Sequence, residues 1–435
     1  MSRHERVSAE LTRRWPEHRV ARSLRRIQAL IELLDDPQRT APVVQITGTN
    51  GKGSTAIMID ALLRAAGLRT GRFTSPHLNN ITERICIDGE PISDDEFDDL
   101  WSRLKPYVEL VDGMAIDGVP MTFFEVMTAL AYLAFADTPV DVMVIEVGMG
   151  GSWDATSVAD AEVAVIAPID LDHTQLLGGT IAEIAAEKAG IIKWGTTAVI
   201  ARQQPEALEV LLARCEAENA EALLEGEDFS LFGRTNAIGG QVVSVSSGDT
   251  DHRGVFLPLY GAHMAHNAAL AVSAVEALLG RPLPDDVIAD AFDAVHAPAR
   301  LELVSADPPV VLDTAHNPHG VAATLAAFAE AFQVRPVTVL LGMMRDKAVD
   351  EVLRLIEPLA AHLVCTQASG TDRALPAVEL ADMAAAVFGP ARVEAIRDAS
   401  EALEAALDQA AVSEGGVLVL GSVYLAGEVR ALLGR

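Results

Sequence analysis

Residues 42–55 have the sequence PVVQITGTNGKGST, which predicts a strand, a glycine-rich loop and a helix in that order. The apolar run over 43–46 is typical of a buried strand. Glycines let backbone N–H groups surround phosphate oxygens, the helix N-terminus adds positive potential, and Lys52 adds a point charge. We therefore predict a phosphate-binding loop, although Gly53 separates Lys52 from Ser54 and departs from the ordinary G-x-x-x-x-G-K-S/T spacing. A glycine-rich turn in a structural βα unit is the alternative.

Composition restricts the class of protein and its partners. A length of 435 residues predicts two or three domains. The chain has no uncharged apolar run long enough for a membrane span, and its N-terminus lacks the apolar segment of a signal peptide, so we expect a cytoplasmic protein. A net charge of −29 argues against a nucleic-acid partner. Three widely spaced cysteines are typical of reduced thiols.

Lysine is rare in this chain, and its positions are therefore informative. Only five lysines occur among 33 lysine and arginine residues. Lys52 lies in the predicted phosphate loop, and Lys188 and Lys193 flank a second glycine-containing turn. Arginine does not easily replace an amine that acts as a compact charge or is chemically modified. If an acidic chain binds ATP, metal ions and a few basic residues must supply the attraction.

Polar groups follow three further predicted strands. The strand over 70–73 leads to Ser75, the strand over 142–147 contains Glu146 near its end, and the strand over 163–169 leads to Asp170-Leu-Asp-His-Thr. Strands that alternate with helices form parallel sheets, so these ends should meet at one edge together with the phosphate loop. The alternation restarts beyond a short proline-containing segment at 296–300, which predicts a second α/β domain.

Other elements are predicted from periodicity and turn residues. A helical stripe is formed by Val20, Leu24, Ile27, Ile31 and Leu34, and it either borders a ligand cleft or packs on the first domain. Helices are also predicted over 56–66, 205–220, 261–279, 285–295, 320–331 and 349–359. Strands are predicted over 198–201, 239–246, 254–258, 310–312, 337–341, 362–366 and 417–420.

Taken together, the motifs resemble those of folylpolyglutamate synthases, which are often also dihydrofolate synthases, within the Mur ligase superfamily. The resemblance runs from about Leu24 to Gly427, and the complete order of motifs makes it specific. The matching segments are Gly48-Thr-Asn-Gly-Lys-Gly-Ser54, Ser75-Pro-His77, Phe124-Glu125, Glu146-Val-Gly-Met-Gly-Gly151, Asp170-Leu-Asp-His-Thr174, Glu187-Lys-Ala-Gly190, His266-Asn267 and Asp313-Thr-Ala-His-Asn-Pro318.

The resemblance implies an α/β fold with a P-loop-type parallel-sheet ATPase domain over 1–297, which also carries the folate site. It implies a smaller Rossmann-like, glutamate-binding domain over 298–435. ATP and Mg²⁺, with two ions expected, are the implied cofactors. The implied nucleotide contacts are Thr49, Asn50, Gly51, Lys52, Gly53, Ser54, Asn267, Arg300 and Asp313. The implied metal ligands are Ser75, Glu146 and His173, whose oxygen and imidazole donors suit Mg²⁺ or Mn²⁺.

Three residues are implied to act in catalysis, namely Lys52, Lys188 and His316. Relatives carry the lysine matching Lys188 as a carbamate, an anion able to hold a second Mg²⁺; a cationic phosphate clamp or a surface lysine is the alternative. His316 and Ser422 match residues that receive the incoming glutamate, although His316 is equally consistent with a helix-capping turn. For Arg300, an interdomain salt bridge is the alternative to a clamp on the phosphates.

The folate side is implied to involve two short segments. These are Thr122, Phe123, Phe124 and Glu125 in the first, and Trp153, Asp154 and Ala155 in the second. Phe124 is equally consistent with a place in the core. Ser152, Trp153 and Ser157 replace Arg, Leu and Asn, which are frequent in the family, so the pterin contacts of this chain are open.

The resulting hypothesis is an ATP-dependent ligase that adds L-glutamate to a folate through an acyl phosphate. Dihydropteroate is a second expected acceptor, and a monomer is expected. One alternative is a Mur-type ligase that joins an amino acid to a UDP-sugar acid. Another is a regulatory protein that binds or hydrolyses ATP without ligase activity.

Overall fold

The computed structural model describes residues 2–16 and 21–434. Val20, the first residue of the predicted helical stripe, lies outside the described residues. The chain divides into two compact units. The first comprises the residues up to 234 together with 242–256 and 264–295, and the second comprises 235–241, 257–263 and 296–435.

The N-terminal unit is built on an eight-stranded sheet in the order β4-β3-β2-β5-β1-β6-β7-β8. In this order the neighbouring strands β2, β5, β1, β6, β7 and β8 are parallel. The pairs β2–β3 and β3–β4 are antiparallel. The strands are β1 (Val43–Thr47), β2 (Thr70–Phe73), β3 (Ile85–Ile87), β4 (Glu90–Pro91), β5 (Val142–Glu146), β6 (Val163–Ile166), β7 (Thr197–Ile200) and β8 (Glu221–Leu224). Because β5 and β6 flank β1, the ends of these three strands carry the predicted site together.

Several of the helices that precede the C-terminal sheet begin at a capping box. Ser93, Thr122 and Thr180 each accept a backbone N–H three residues later, where a glutamate reaches back. The helices are α1 (Arg3–Thr12), α2 (Arg25–Glu32), α3 (Lys52–Ala65), α4 (Asp94–Gly113), α5 (Phe123–Asp137), α6 (Thr174–Leu177), α7 (Ile181–Lys188), α8 (Pro205–Ala217), α9 (Ala262–Leu279) and α10 (Asp285–Asp293).

A small antiparallel sheet in the order β11-β10-β9 precedes α9. Its strands are β9 (Phe229–Ala237), β10 (Gly240–Ser247) and β11 (Thr250–Leu257). Buried His252 on β11 lies between the carboxylates of Glu276 on α9 and Asp285 on α10, with nitrogen–oxygen distances of 3.1 and 2.6 Å. This contact lies within the N-terminal unit and attaches β11 to α9 and α10.

The second sheet has six strands in the order β12-β13-β17-β14-β15-β16. Only the pair β12–β13 is antiparallel. The strands are β12 (Arg300–Ala306), β13 (Pro309–Asp313), β14 (Val337–Leu341), β15 (Ala360–Cys365), β16 (Val393–Ala395) and β17 (Gly416–Leu420). The helices are α11 (Pro318–Ala331), α12 (Val349–Ile356), α13 (Ala377–Phe388), α14 (Ala399–Val412) and α15 (Val423–Leu432).

The predicted α/β class, with a mainly parallel sheet in each part, is confirmed. Several boundaries differ from the prediction: the helical stripe forms only α2, the strand predicted over 163–169 ends at Ile166, and the helices predicted over 205–220 and 349–359 end at Ala217 and Ile356. Sequence reasoning missed the strands β4, β8, β9, β12 and β16 and the helices α1, α6, α13, α14 and α15. In the part of the chain that the structure describes, no helix is long and apolar enough to cross a membrane.

Candidate functional site

Two glycines allow the loop after β1 to approach neighbouring elements closely. A Cβ atom at Gly48 would lie 2.7 Å from Cβ of Ala167, just beyond β6. Gly51 is the N-cap of α3 with a φ of 88°, and a Cβ atom there would meet Oδ1 of Asn267 at 2.9 Å. A side chain at either position would therefore displace the loop from the sheet or from α9.

Backbone and side-chain bonds fix the loop in this position. The Thr49 N–H donates to Pro168 O at 2.9 Å, and Thr49 Oγ1 exchanges two hydrogen bonds with the Asp170 backbone. Lys52 Nζ donates to Gly48 O at 3.1 Å and to Thr49 O at 3.3 Å. The predicted nucleotide residues Thr49, Asn50, Gly51, Lys52 and Gly53 are partly exposed, whereas Ser54 is buried. The backbone of residues 49–53 and the side chain of Lys52 are thus partly accessible to solvent.

Lys188 reaches the same loop from the end of α7. Its Nζ donates to Gly48 O at 2.7 Å, and its side chain is buried. Burial, followed by the charge of Lys52, lowers the Lys188 pKa to about 7. A substantial fraction of this amine is therefore neutral near neutral pH, and a neutral amine is the form that reacts with CO₂.

Two of the predicted metal ligands lie in direct contact. Buried Glu146 ends β5, and its Oε2 accepts the Ser75 N–H at 3.0 Å. The same oxygen would lie 3.4 Å from a Cβ atom at Gly53, so the carboxylate adjoins the phosphate loop. Burial of an ionised carboxylate at this position is costly without compensation.

The third predicted ligand, His173, lies on the loop after β6, and β6 flanks β1 on the side opposite to β5. It adopts a left-handed φ of 51° directly before α6. Among the described residues, no group of three or more histidine, cysteine, aspartate or glutamate side chains is placed to hold a metal. The predicted set combines a single carboxylate with a hydroxyl and an imidazole, which is a donor set of the kind that Mg²⁺ accepts when water completes its shell.

Asn267 is held beside the loop by its own helix and by its neighbour. His266 Nδ1 lies within hydrogen-bond distance of buried Glu225 Oε1, just beyond β8. Glu225 Oε2 also accepts the Arg202 N–H at 2.8 Å, which links the ends of β7 and β8 to α9. These bonds hold α9 in position, and they thereby hold Asn267 next to Gly51.

In the first folate-side segment, Thr122 and Glu125 are engaged by the protein itself. Thr122 Oγ1 accepts the Glu125 N–H at 3.2 Å, and Glu125 Oε2 accepts the Thr122 N–H at 2.7 Å. Buried Arg26 donates to the same carboxylate through Nε at 3.2 Å. Phe123 is buried under the guanidinium of Arg84 at 5.0 Å. The side chains of Thr122, Phe123 and Glu125 are thus packed against other residues of the protein, and together with Arg26 we call them the folate-side wall.

Phe124 and Trp153 are the partly exposed members of the folate-side set. The Phe124 ring packs closely against Gly148, because a Cβ atom built at Gly148 would lie only 2.5 Å from Cζ of Phe124. Trp153 carries the Arg22 guanidinium over its ring at 5.5 Å, and its buried Nε1 has no hydrogen-bond partner among the described residues. Both rings therefore offer an apolar face beside the loop after β5.

Asp154 and Ala155, by contrast, are buried. Asp154 Oδ2 accepts the Met149 N–H at 2.9 Å, and its Oδ1 accepts the Thr156 N–H and hydroxyl at 3.0 and 2.6 Å. Burial raises the Asp154 pKa, while these hydrogen bonds oppose the shift. The carboxylate supports the loop that carries Trp153.

In the C-terminal unit, Arg300 and Asp313 lie at paired positions of β12 and β13. Asp313 is buried, and its carboxylate accepts the N–H groups of Leu301 and Ala315 and the Thr324 hydroxyl at 2.9, 2.8 and 3.0 Å. Burial raises the Asp313 pKa against the opposing charge of Arg300. Arg300 is partly exposed, and its Nη1 donates to the Thr314 hydroxyl.

His316 and Ser422 follow β13 and β17, which are adjacent strands of the second sheet. His316 Nδ1 donates to Thr314 O at 2.9 Å, so a neutral ring presents Nε2 as an acceptor. Ser422 is buried as the N-cap of α15, and its Oγ accepts the N–H groups of Tyr424 and Leu425 at 3.1 and 3.5 Å. Its hydroxyl hydrogen remains able to donate.

Sequence reasoning missed two glutamines that hold the site. Gln203 beyond β7 accepts the Ile169 N–H at 3.0 Å and donates to Ala167 O at 3.2 Å, which fixes the loop after β6. Fully buried Gln45 on β1 donates to Ser157 Oγ at 3.1 Å. The available signals were a polar residue three positions after the end of a parallel strand for Gln203, and an amide within a largely apolar strand for Gln45. The second contact also gives Ser157 a structural role.

Two family models match the chain. One is described as the Mur ligase middle domain and matches residues 100–275; the other, the Mur ligase glutamate ligase domain, matches residues 299–423. The dihydrofolate synthase/folylpolyglutamate synthase of Mycobacterium tuberculosis is 44% identical over 452 aligned residues, which cover 98% of this chain and 93% of that protein.

Solved structures of folylpolyglutamate synthases have the same fold as this chain. The M. tuberculosis folylpolyglutamate synthase complexed with ADP matches with a TM-score of 0.96 at 44% identity, over 100% of this chain and 98% of that one. A complex described as FPGS–AMPPCP–folate matches with a TM-score of 0.82 at 32% identity, over 99% of each chain. The chain therefore belongs to the folylpolyglutamate synthase/dihydrofolate synthase family of the Mur ligase superfamily.

Proposed function

We propose that this protein is an ATP-dependent ligase that adds L-glutamate to folates. The observation that carries the proposal is the convergence of two lysines and one carboxylate on a single glycine loop. Lys52 belongs to the loop, Lys188 Nζ lies 2.7 Å from Gly48 O, and Glu146 adjoins Gly53. The relatives named above are synthases of this class, and solved relatives bind ADP, AMPPCP and folate.

Ligation needs activation because a carboxylate repels nucleophiles and hydroxide leaves poorly. Phosphorylation of the folate carboxylate by ATP provides an acyl phosphate with a good leaving group. Attack by the glutamate amine then forms the amide and releases phosphate. In this proposal the loop residues 49–54 bind the phosphates, Lys52 stabilises charge during transfer, and Asn267, Arg300 and Asp313 contact the nucleotide.

Mg²⁺ would be held by Ser75, Glu146 and His173, and it would neutralise the phosphate charge of ATP. The hydroxyl of Ser75 and the carboxylate of Glu146 suit this ion, and the Glu146 carboxylate adjoins Gly53 of the loop and accepts the Ser75 backbone N–H. A metal titration tests the assignment: Glu146→Gln and His173→Ala should each raise the Mg²⁺ concentration required for half-maximal activity. An unchanged midpoint in both variants would remove these residues from the metal site.

For Lys188 we propose a carbamate, which would bind a second Mg²⁺. Its support is the lowered pKa of about 7 and the position against the phosphate loop. A cationic clamp on the phosphates is the competing role. Lys188→Ala should be inactive, and short carboxylic acids should partly restore activity if a carbamate is required. No rescue, together with an unmodified mass at this residue, would favour the clamp.

The folate is proposed to contact Phe124 and Trp153, with Thr122, Phe123, Glu125, Asp154 and Ala155 supporting those rings from behind. The glutamate is proposed to be received by His316 and Ser422. Accordingly, residues 1–297 would form the ATP and folate domain and residues 298–435 the glutamate domain. Dihydropteroate is a second proposed acceptor, since the M. tuberculosis relative is named for both activities. A cytoplasmic monomer is the proposed state.

The decisive experiment is an ADP-release assay in which one substrate is omitted at a time. A folate–glutamate ligase should release ADP only when tetrahydrofolate and L-glutamate are both present. A UDP-sugar-acid ligase would instead require a UDP-sugar acid, and a regulatory ATPase would release ADP without either substrate. Replacing folate by dihydropteroate in the same assay tests the second acceptor.

A further inference from the structure

Arg300 lies between two residues with unusual backbone conformations. Ala299 has a φ of 51° and Leu301 a φ of 49°, both in the left-handed region that residues with a Cβ atom rarely adopt. The pairing of β12 with β13 is also irregular between Arg300 and Glu302, which marks a β-bulge at Leu301. Bulges and left-handed residues reorient side chains next to functional sites, and they persist only where other contacts hold them.

Two carboxylates hold this strained segment. The Ala299 N–H donates to Glu302 Oε2 at 2.8 Å, and the Leu301 N–H donates to Asp313 Oδ2 at 2.9 Å. The Thr314 N–H donates to Ala299 O at 3.1 Å from the opposite strand. Each unusual residue beside Arg300 is therefore fixed by one carboxylate through its backbone N–H.

Glu302 is itself oriented by Arg430 in the last turn of α15. Arg430 Nε lies 3.1 Å from Oε2 and 3.3 Å from Oε1 of Glu302, and both side chains are largely buried. Charge-assisted hydrogen bonds of this kind restrict the carboxylate to one orientation. The chain of contacts thus runs from Arg430 through Glu302 to the Ala299 backbone and to the direction of the Arg300 side chain.

We propose that Glu302, oriented by Arg430, is a positioning residue that holds Arg300 in the direction required for its contact with the nucleotide phosphates. The inference rests on the proposed phosphate role of Arg300. Glu302 does not contact substrate in this proposal, and it acts only through the conformation of residues 299–301. Asp313 has the same relation to Leu301 in addition to its proposed nucleotide contact.

The test uses Glu302→Ala with and without Ala299→Gly. Glu302→Ala should lower kcat/KM for ATP about tenfold, which corresponds to about 1.4 kcal/mol, without changing KM for folate. Glycine adopts left-handed φ values without steric cost, so Ala299→Gly should restore at least half of the loss on a logarithmic scale. Glu302→Gln, which keeps an acceptor for the Ala299 N–H, should lose less than Glu302→Ala.

Controls separate positioning from stability and from the role of Arg300. Glu357 forms a comparable pair with Arg392, whose Nη1 lies 2.7 Å from Glu357 Oε1, so Glu357→Gln should leave kcat/KM for ATP unchanged. Arg300→Ala should itself lower kcat/KM for ATP, and adding Glu302→Ala to it should cause no further loss.

Three results with the Glu302→Ala substitution would overturn the proposal. They are a near-normal kcat/KM in Glu302→Ala, a loss that Ala299→Gly does not relieve, and additive losses in the double variant with Arg300→Ala. If Arg300→Ala alone leaves kcat/KM unchanged, the nucleotide role of Arg300 is wrong, and the positioning role is overturned with it. Loss in Arg300→Ala without loss in Glu302→Ala refutes positioning alone.

Discussion

The phosphate loop and the folate-side segments both contain residues predicted from motifs, but the structure engages these residues differently in the two regions. In the loop over 48–54, glycines allow close approach, and Lys52 and Lys188 both donate to the carbonyl of buried Gly48. In the segments over 122–125 and 153–155, the carboxylates of Glu125 and Asp154 are buried and already accept hydrogen bonds from the protein. Motif residues of the loop are thus proposed to contact ligand, whereas Glu125 and Asp154 in the folate-side segments are engaged by the protein itself.

The largest expected effect is on activity and comes from the loop. Lys52→Ala should lower kcat by about a thousandfold, because it removes the charge that is proposed to stabilise the transferring phosphate. Its melting temperature should stay within a few degrees of wild type. Lys105→Ala is a matched control, since Lys105 pairs with Glu10 on exposed surfaces and lies outside the site. Near-normal turnover of a folded Lys52→Ala variant would make the loop structural.

Substitutions in the folate-side wall should instead lower the stability of the fold. Arg26→Met should lower the free energy of unfolding by about 3 kcal/mol, because it leaves the buried Glu125 carboxylate without its ionic partner. The folded variant should keep kcat/KM for folate within about threefold of wild type. Urea unfolding and steady-state kinetics measure the two effects. A large rise in KM for folate without a loss of stability would place these residues in contact with the ligand.

The pH dependence of stability tests the buried amine in CO₂-depleted buffer. Lys188 has a pKa of about 7 in the fold, below the ordinary value of 10.5, so the unfolded chain binds the additional proton between these values. The free energy of unfolding therefore rises with pH across this window, by about 1.4 kcal/mol per pH unit. Below pH 7 the amine is charged in the fold as well, and the full cost of burying that charge is present. Lys188→Met should lose this rise. Parallel curves for wild type and variant from pH 7.5 to 9.5 would contradict a shifted amine.

The smallest expected effect concerns Trp153, one of the two partly exposed rings on the folate side. Trp153→Leu should raise KM for folate up to about fivefold, because it removes a stacking face and the nearby Arg22 contact. KM for ATP should not change. Trp194→Leu is the control, since Trp194 is 75% exposed and does not belong to the proposed site. Equal effects of the two substitutions would exclude a specific role for Trp153.

The sequence predicted which residues lie beside the N-terminal phosphate loop, because parallel strands place their carboxyl ends on one edge. That rule correctly places Glu146 and Ser75 beside the phosphate loop from their positions after two strands alone. The functions of Glu125 and Asp154 could not be predicted, because burial and hydrogen-bond partners such as Arg26 depend on tertiary packing. The same holds for the left-handed residues beside Arg300, which no local pattern of Ala299 and Leu301 indicates.

The C-terminal unit was predicted less completely than the N-terminal one. Its edge strands β12 and β16 and the helices α13, α14 and α15 were missed, since alanine-rich stretches lack a sharp apolar periodicity and short edge strands lack a continuous apolar run. Ser422 was nevertheless identified by the motif resemblance, and it proves to be the N-cap of α15. Its proposed contact with glutamate therefore depends on the hydroxyl hydrogen alone.

The central claim, that the loop transfers phosphate to a carboxylate before the amide forms, is tested most directly with folate whose reacting carboxylate carries oxygen-18. The phosphate released after one turnover in the presence of ATP and L-glutamate is then examined by mass spectrometry. An acyl phosphate predicts that one labelled oxygen appears in phosphate for each glutamate added. Unlabelled phosphate accompanying stoichiometric glutamate addition would contradict it.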